Sequence, residues 1–178
     1  MKKEKCGQGR PNCEECPLAS YWLGEGLFSP VPALLKKTDL LVIGDAPSKK
    51  DVVSNRLLTG QEGAELLEVL PSTLSYTNVI ACRWPKDKPK EFLAQLRLLN
   101  RKRKRKRLPP IPSPQECCRP RLEAEISRYT NIITVGSFAA KALLPGNPKL
   151  KAIRGAPHSH GTQKILPTLH PREVLWEP

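Results

Sequence analysis

The sequence predicts a three-layer α/β/α domain built on a four-stranded parallel sheet. Three observations lead there. Four short apolar runs each end in a turn or polar residue, helical periodicities lie between them, and 178 residues suffice for one sizeable core. A single domain over 1–178 is expected.

The apolar runs at 39–44, 76–82, 131–136 and 164–169 read as buried strands. Gly63, Leu66, Leu67 and Leu70 recur at i, i+3, i+4, i+7. Phe92, Leu96 and Leu99 recur at i, i+4, i+7, as do Leu122, Ile126 and Tyr129, and each set draws one face of a helix. Ser137 follows Gly136 and is placed to cap a helix through 138–144. Residues 1–38 have little periodicity and are expected to wrap the domain as loops and short helices. Segment 101–116 differs: its cations can extend the preceding helix, but Leu-Pro-Pro-Ile-Pro-Ser-Pro must break it, so a projecting, partly mobile insertion is expected. His158 and His160 fall in a Pro/Gly/Ser loop and read as solvated. Sites in parallel sheets gather at the carboxyl ends of strands, where Asp45, Asn78 and His170 would all emerge.

The net charge is +13, and Arg101, Lys102, Arg103, Lys104, Arg105, Lys106 and Arg107 supply seven of it, leaving +6 on the rest. A surface this basic attracts polyanions, nucleic acid first, although a run of like charge also reads as a solvated tail or an address signal. No apolar run approaches a membrane span, and Met1-Lys2-Lys3-Glu4-Lys5 leads into no signal-peptide core, so a cytosolic protein with no membrane partner is expected. Six cysteines in such a chain suggest metal ligands or free thiols over a disulfide framework. The pair Cys13 and Cys16, with Cys82 and Cys118 standing singly, can hold zinc or an iron–sulfur cluster. The split second half suits a cubane, and spacing alone leaves both open.

Together these motifs resemble the iron–sulfur branch of the uracil-DNA glycosylase superfamily. The resemblance rests on Cys13-Glu14-Glu15-Cys16, Gly44-Asp45-Ala46-Pro47-Ser48, Thr77-Asn78-Val79-Ile80-Ala81-Cys82-Arg83, Cys118-Arg119-Pro120-Arg121-Leu122 and Leu169-His170-Pro171. It implies a four-iron, four-sulfur cluster on Cys13, Cys16, Cys82 and Cys118, fastening the N-terminal segment to the sheet. Cys117 falls out of the family's Cys-x-Pro-x-Leu register, and Cys6 is left as a free thiol. It further implies a uracil pocket formed by Gly44, Asp45, Ala46, Leu58, Asn78 and His170. Asn78 matches the asparagine whose amide reads the uracil edge, and His170 the histidine that stabilises charge on the departing base.

Several positions depart from the family pattern. Asp45 stands for a glutamate, Leu58 for the phenylalanine that stacks on the flipped base, and Arg172 for a serine in the loop that presses into DNA. Asn55 replaces a turn glycine, which asparagine tolerates. The family's first motif leaves Asp45 as the nearest carboxylate for orienting water, with Asp51 second. Arg154, in an Arg-Gly turn, and Arg172 join the seven-cation run as expected DNA contacts. One bacterial variant carries a similar basic loop whose histidine attacks the sugar. No histidine occurs in this run, so that covalent step is not expected. The implied activity is monofunctional release of uracil from single- or double-stranded DNA by a monomer. The alternative is a DNA-binding iron–sulfur accessory protein of the same fold with weak or no excision, or a glycosylase for another damaged base.

Overall fold

The computed structural model describes residues 13–19, 30–85 and 88–175. The thiol expected free at Cys6 and most of the expected N-terminal wrap lie outside them. In chain order the elements are β1 (Leu40–Gly44), α1 (Lys49–Ser54), α2 (Gln61–Val69), β2 (Ser75–Asn78), α3 (Pro89–Arg105), α4 (Pro114–Ile126), β3 (Asn131–Val135), α5 (Ser137–Leu143), α6 (Leu150–Ile153), β4 (His158–His160), β5 (Gln163–Thr168) and α7 (Pro171–Leu175). No helix among the described residues is long and apolar enough to cross a membrane.

The sheet has five strands in the order β2-β1-β3-β5-β4. β2, β1, β3 and β5 run parallel, and β4 pairs antiparallel with β5. The expected four-stranded parallel sheet is therefore corrected to a mixed one of five strands. The added strand contains His158 and His160, which had read as loop. Gly161, at φ 58°, turns the chain within a two-residue link between His160 and Gln163, and such a link closes a hairpin.

Alternation along the strands sends side chains to two cores, giving a layer of helices on each face. Leu41, Ile43, Ile132 and Ile165 pack with Leu122 and Ile126 of α4 and Ala139 and Leu143 of α5. Val42, Tyr76 and Val135 pack on the other face, where Leu66 and Leu67 of α2 lie against them. The helices read from periodicity turn their assigned faces to these cores, except in α3, where Phe92 and Leu96 pack inward but Leu99, expected on the same face, is exposed.

Three boundaries differ from expectation, each for a local reason. β2 ends at Asn78 and does not run on to Cys82. Beyond it, the Val79 and Ile80 N–H groups donate to the Gly44 and Asp45 carbonyls (2.9 and 3.1 Å), and the chain turns inward to bury Ile80, Ala81 and Cys82. α5 is not capped by Ser137. Gly136, at φ 91°, takes the cap position and places Ser137 inside the first turn. Segment 101–116 doubles back on itself, with residues 101–110 exposed except Arg103. α3 continues to Arg105 and the chain reverses at Arg107 (φ 55°). The Asn100 amide clasps the Ile111 backbone (Nδ2 to O 2.9 Å; N to Oδ1 2.8 Å), and Arg103 Nε donates to the Pro109 carbonyl at 2.7 Å. Ser113 and Glu116 then form a capping box that opens α4.

Candidate active site

The sheet order reverses at β1, with β2 on one side and β3 on the other. In open α/β sheets the crevice beyond the strand ends at such a reversal is where ligands bind. A cavity opens there, lined by Gly44, Asp45, Ala46, Leu58, Asn78 and His170 among others. All six residues expected to form a base pocket therefore border one space.

Each is held by identifiable structure. Gly44 and Asn78 are Cα partners at the ends of β1 and β2. A Cβ at Gly44 would stand 2.5 Å from Asn78 Oδ1, so the asparagine amide packs directly on bare backbone. Across β3, Gly136 separates Asp45 from His170. A Cβ there would meet His170 Cβ at 3.3 Å and Asp45 Oδ1 at 3.5 Å. Asp45 Oδ1 accepts from the Ala139 N–H at 3.1 Å and so satisfies a donor in the first turn of α5. Burial is the main cause that pushes the Asp45 carboxyl up to about 7, outweighing that hydrogen bond and the attraction of Arg172.

His170 follows β5, and the Arg172 N–H donates to its Nδ1 at 3.2 Å. Nδ1 is therefore an acceptor, and the neutral ring carries its proton on Nε2. Burial depresses the ring's pKa below its ordinary value, while the Glu62 carboxylate opposes that shift. The result at neutral pH is an uncharged ring with an Nε2–H donor.

Leu58 lines the cavity in a left-handed conformation, at φ 64°. A branched side chain seldom adopts it. Gly63 permits the close approach, since a Cβ there would lie 2.4 Å from Leu58 Cα. Asn55 also sits in the left-handed region (φ 49°) and closes α1, as its residue type allows.

Asp51, the second carboxylate expected to orient water, has a different occupation. Its Oδ2 accepts from the Ser48 N–H and hydroxyl (2.8 and 2.7 Å), and its Oδ1 from the Thr59 N–H and hydroxyl (both 2.8 Å). Both oxygens are spent on closing the loop around α1, which leaves none for a water nucleophile.

Glu62 is the pocket residue that the sequence reading missed. It stands in the first turn of α2, pairs with Arg172 through Oε1 (2.7 Å to Nε), and brings Oε2 to 4.0 Å from His170 Nε2. A carboxylate directly before Gly63, at the mouth of a motif loop, was the available signal. Arg172, expected to reach DNA, is engaged by this pair. Arg154 is exposed at the end of α6, and the 101–107 cations are exposed except Arg103, which is half-buried.

The thiols of Cys16, Cys82, Cys117 and Cys118 are buried in one core cluster, and Cys13 packs against it. The Cys16 thiol is lowered to about 7, chiefly by a hydrogen bond with Cys117, whose own thiol is correspondingly raised; burial raises Cys118. Among the described residues no three His, Cys, Asp or Glu side chains stand in a ligating arrangement. The donors themselves are soft thiols, and Arg121, whose charge favours the Cys118 thiolate, leaves its buried Nε without a partner. That chemistry fits a soft, anionic thiolate–metal group.

A family model, that of the uracil DNA glycosylase superfamily, matches residues 32–178, and the chain belongs to that superfamily. Its members are DNA glycosylases, hydrolases that act on DNA. No curated protein matches the chain.

Proposed function

We propose that this chain is a monofunctional uracil-DNA glycosylase, a monomer that takes a flipped uracil into the cavity beyond β1 and β3 and hydrolyses its N-glycosidic bond. The observation that carries this reading is the meeting of Asn78, His170 and Asp45 at one cavity, each in a state suited to its task. The Asn78 amide donates to a uracil carbonyl and accepts from the ring N–H, a pattern that cytosine's exocyclic amine disrupts. As the bond from C1′ to N1 breaks, negative charge collects on the ring, and the His170 Nε2–H donates to O2 without a prior change of protonation. Ala139 holds Asp45 Oδ1, leaving the second oxygen to orient water toward C1′. The water oxygen bonds to C1′, its proton passes to the Asp45 carboxylate and then to solvent, and the base leaves as an anion that is protonated afterwards.

The same reading assigns Cys13, Cys16, Cys82 and Cys118 to a four-iron, four-sulfur cluster. Its support is the burial of Cys16, Cys82 and Cys118 in one core, the packing of Cys13 against it, and the resemblance of their spacing. When bound, the cluster would fasten the segment around Cys13 and the start of α4 to the turn after β2, with no redox step in base release. Leu58 favours the second reading, a weak or inactive DNA-binding accessory, because it offers no aromatic face to a flipped base.

The test is base release by His170→Ala and Asn78→Ala relative to the unaltered protein under single-turnover conditions. His170→Ala should lose about 10²–10³ in rate, the usual effect of removing a donor to developing negative charge. Asn78→Ala should lose uracil-over-cytosine discrimination as well as rate. Full activity in both variants would remove this pocket from the reaction.

A further inference from the structure

The pocket around His170 is more acidic than its task suits. The ring is faced by Glu62 and Glu65 of α2, by Glu173 of α7 and, across Gly136, by Asp45. Of the charged groups that face it, Arg172 is the cation. A base that departs as an anion is opposed by every carboxylate beside it. Glu62 is the one that lines the cavity and turns an oxygen toward His170 Nε2, the atom assigned to the leaving base. At 4.0 Å the two are too far apart for a hydrogen bond, so the carboxylate acts on the ring through its charge.

Arg172 answers both sides of that ring. Its backbone N–H donates to Nδ1 at 3.2 Å. Its side chain grips Glu62 Oε1, with Nε at 2.7 Å and Nη2 on the same oxygen. Burial depresses the His170 pKa first; beyond that, Glu62 raises it and Arg172 lowers it, so the two charges offset each other at the ring. Against the burial that raises the Asp45 carboxyl, the same guanidinium favours the ionised form that orients water. We infer that Arg172 is a positioning residue of the active site and not a phosphate contact: its N–H orients the His170 ring, and its guanidinium masks the Glu62 carboxylate that would oppose the departing base. This rests on the proposed role of His170 in base release. Arg172 then belongs to rate and not to DNA affinity.

Four variants separate these roles. Arg172→Gln keeps the N–H and removes the charge, whereas Arg172→Lys keeps both. Glu62→Gln removes the carboxylate, and Arg172→Gln with Glu62→Gln removes the pair. The Arg172 and Glu62 side chains are 62% and 33% exposed, so the fold should survive, and melting temperatures check this. Each variant is measured for single-turnover base release on the alkaline plateau, where Asp45 is ionised, and for the titration of His170 by NMR. The salt dependence of affinity is read with a strand that lacks uracil.

Arg172→Gln should slow release about fivefold, the upper scale for a partly exposed charge pair, and should raise the His170 pKa. Adding Glu62→Gln should restore the rate and bring the pKa back down. Glu62→Gln alone should lower the pKa without slowing release, and Arg172→Lys should stay close to the unaltered protein. The slope of log affinity against log salt should be unchanged in Arg172→Gln. A slope that falls by about 0.9, the loss of one phosphate contact, overturns the inference. So does a double variant as slow as Arg172→Gln, or a His170 titration that Arg172→Gln leaves in place. An unaltered protein that releases no base sinks the glycosylase reading, and the masking of Glu62 is then decided by the titration and the slope.

Discussion

At the residue scale the site is governed by what glycine omits and what burial does to charge. Asn78 can lie against Gly44 only because no Cβ intervenes. The clashing atom is the end of a side chain, so Gly44→Ala should leave the fold nearly as stable while displacing the amide. Uracil-over-cytosine discrimination should fall about tenfold or more with little change in melting temperature. Melting and excision assays on one preparation check this.

Asp45 makes a second prediction. With its carboxyl pushed up to about 7 and required ionised, base release should rise with pH through about 7 and then level off. His170, depressed by burial, is already neutral there and adds no alkaline loss. Stability should move the other way. A folded pKa above the unfolded one contributes stability that is full below about 4 and lost as pH climbs through about 7. Asp45→Asn should therefore abolish the pH rise in rate, and its stability relative to the unaltered protein should grow across that window.

At the element scale, the roles that sequence made legible were those written in periodicity and local motif. Leu66 and Leu67 announced the buried face of α2, and Leu122 and Ile126 that of α4, because a helix repeats its contacts every turn. β4 stayed hidden because three residues hold too little alternation to register, and only the Gly161 turn betrays them. Asp51 and Glu62 were not separable by sequence. Both are acids in the stretch that follows β1, and only the fold shows one enclosed by Ser48 and Thr59 and the other facing His170. The bond from Asp45 to the first turn of α5 was equally unreadable, since Asp45 reaches Ala139 from 94 positions away.

The basic end of α3 has its own test. Replacing the 101–107 cations by glutamine should reduce the slope of log affinity against log salt, by at most about six if all seven meet phosphate. A smaller drop is expected, because Arg103 is tied to Pro109. An unchanged slope would make this face a bystander in DNA binding.

At the scale of the whole molecule, two parts meet at the turn after β2. One is the strand-end pocket, and the other is the set of buried thiols beneath it, with Cys82 only four residues beyond Asn78. If a cluster occupies those thiols, protein purified without oxygen should be brown and carry roughly four irons per chain. Alanine at Cys13, Cys16, Cys82 or Cys118 should bleach and destabilise it, whereas Cys117→Ala should retain the iron. Stoichiometric zinc without iron would contradict the assignment.

The central claim is that the pocket releases uracil. Its most direct measurement uses an oligonucleotide bearing a single uracil, incubated with excess protein and read as alkali-sensitive strand breakage. The account predicts slow, complete breakage at the uracil and none in matched strands carrying cytosine or thymine. Tight binding of the uracil strand with no breakage under the same excess would contradict it and leave a DNA-binding accessory in its place.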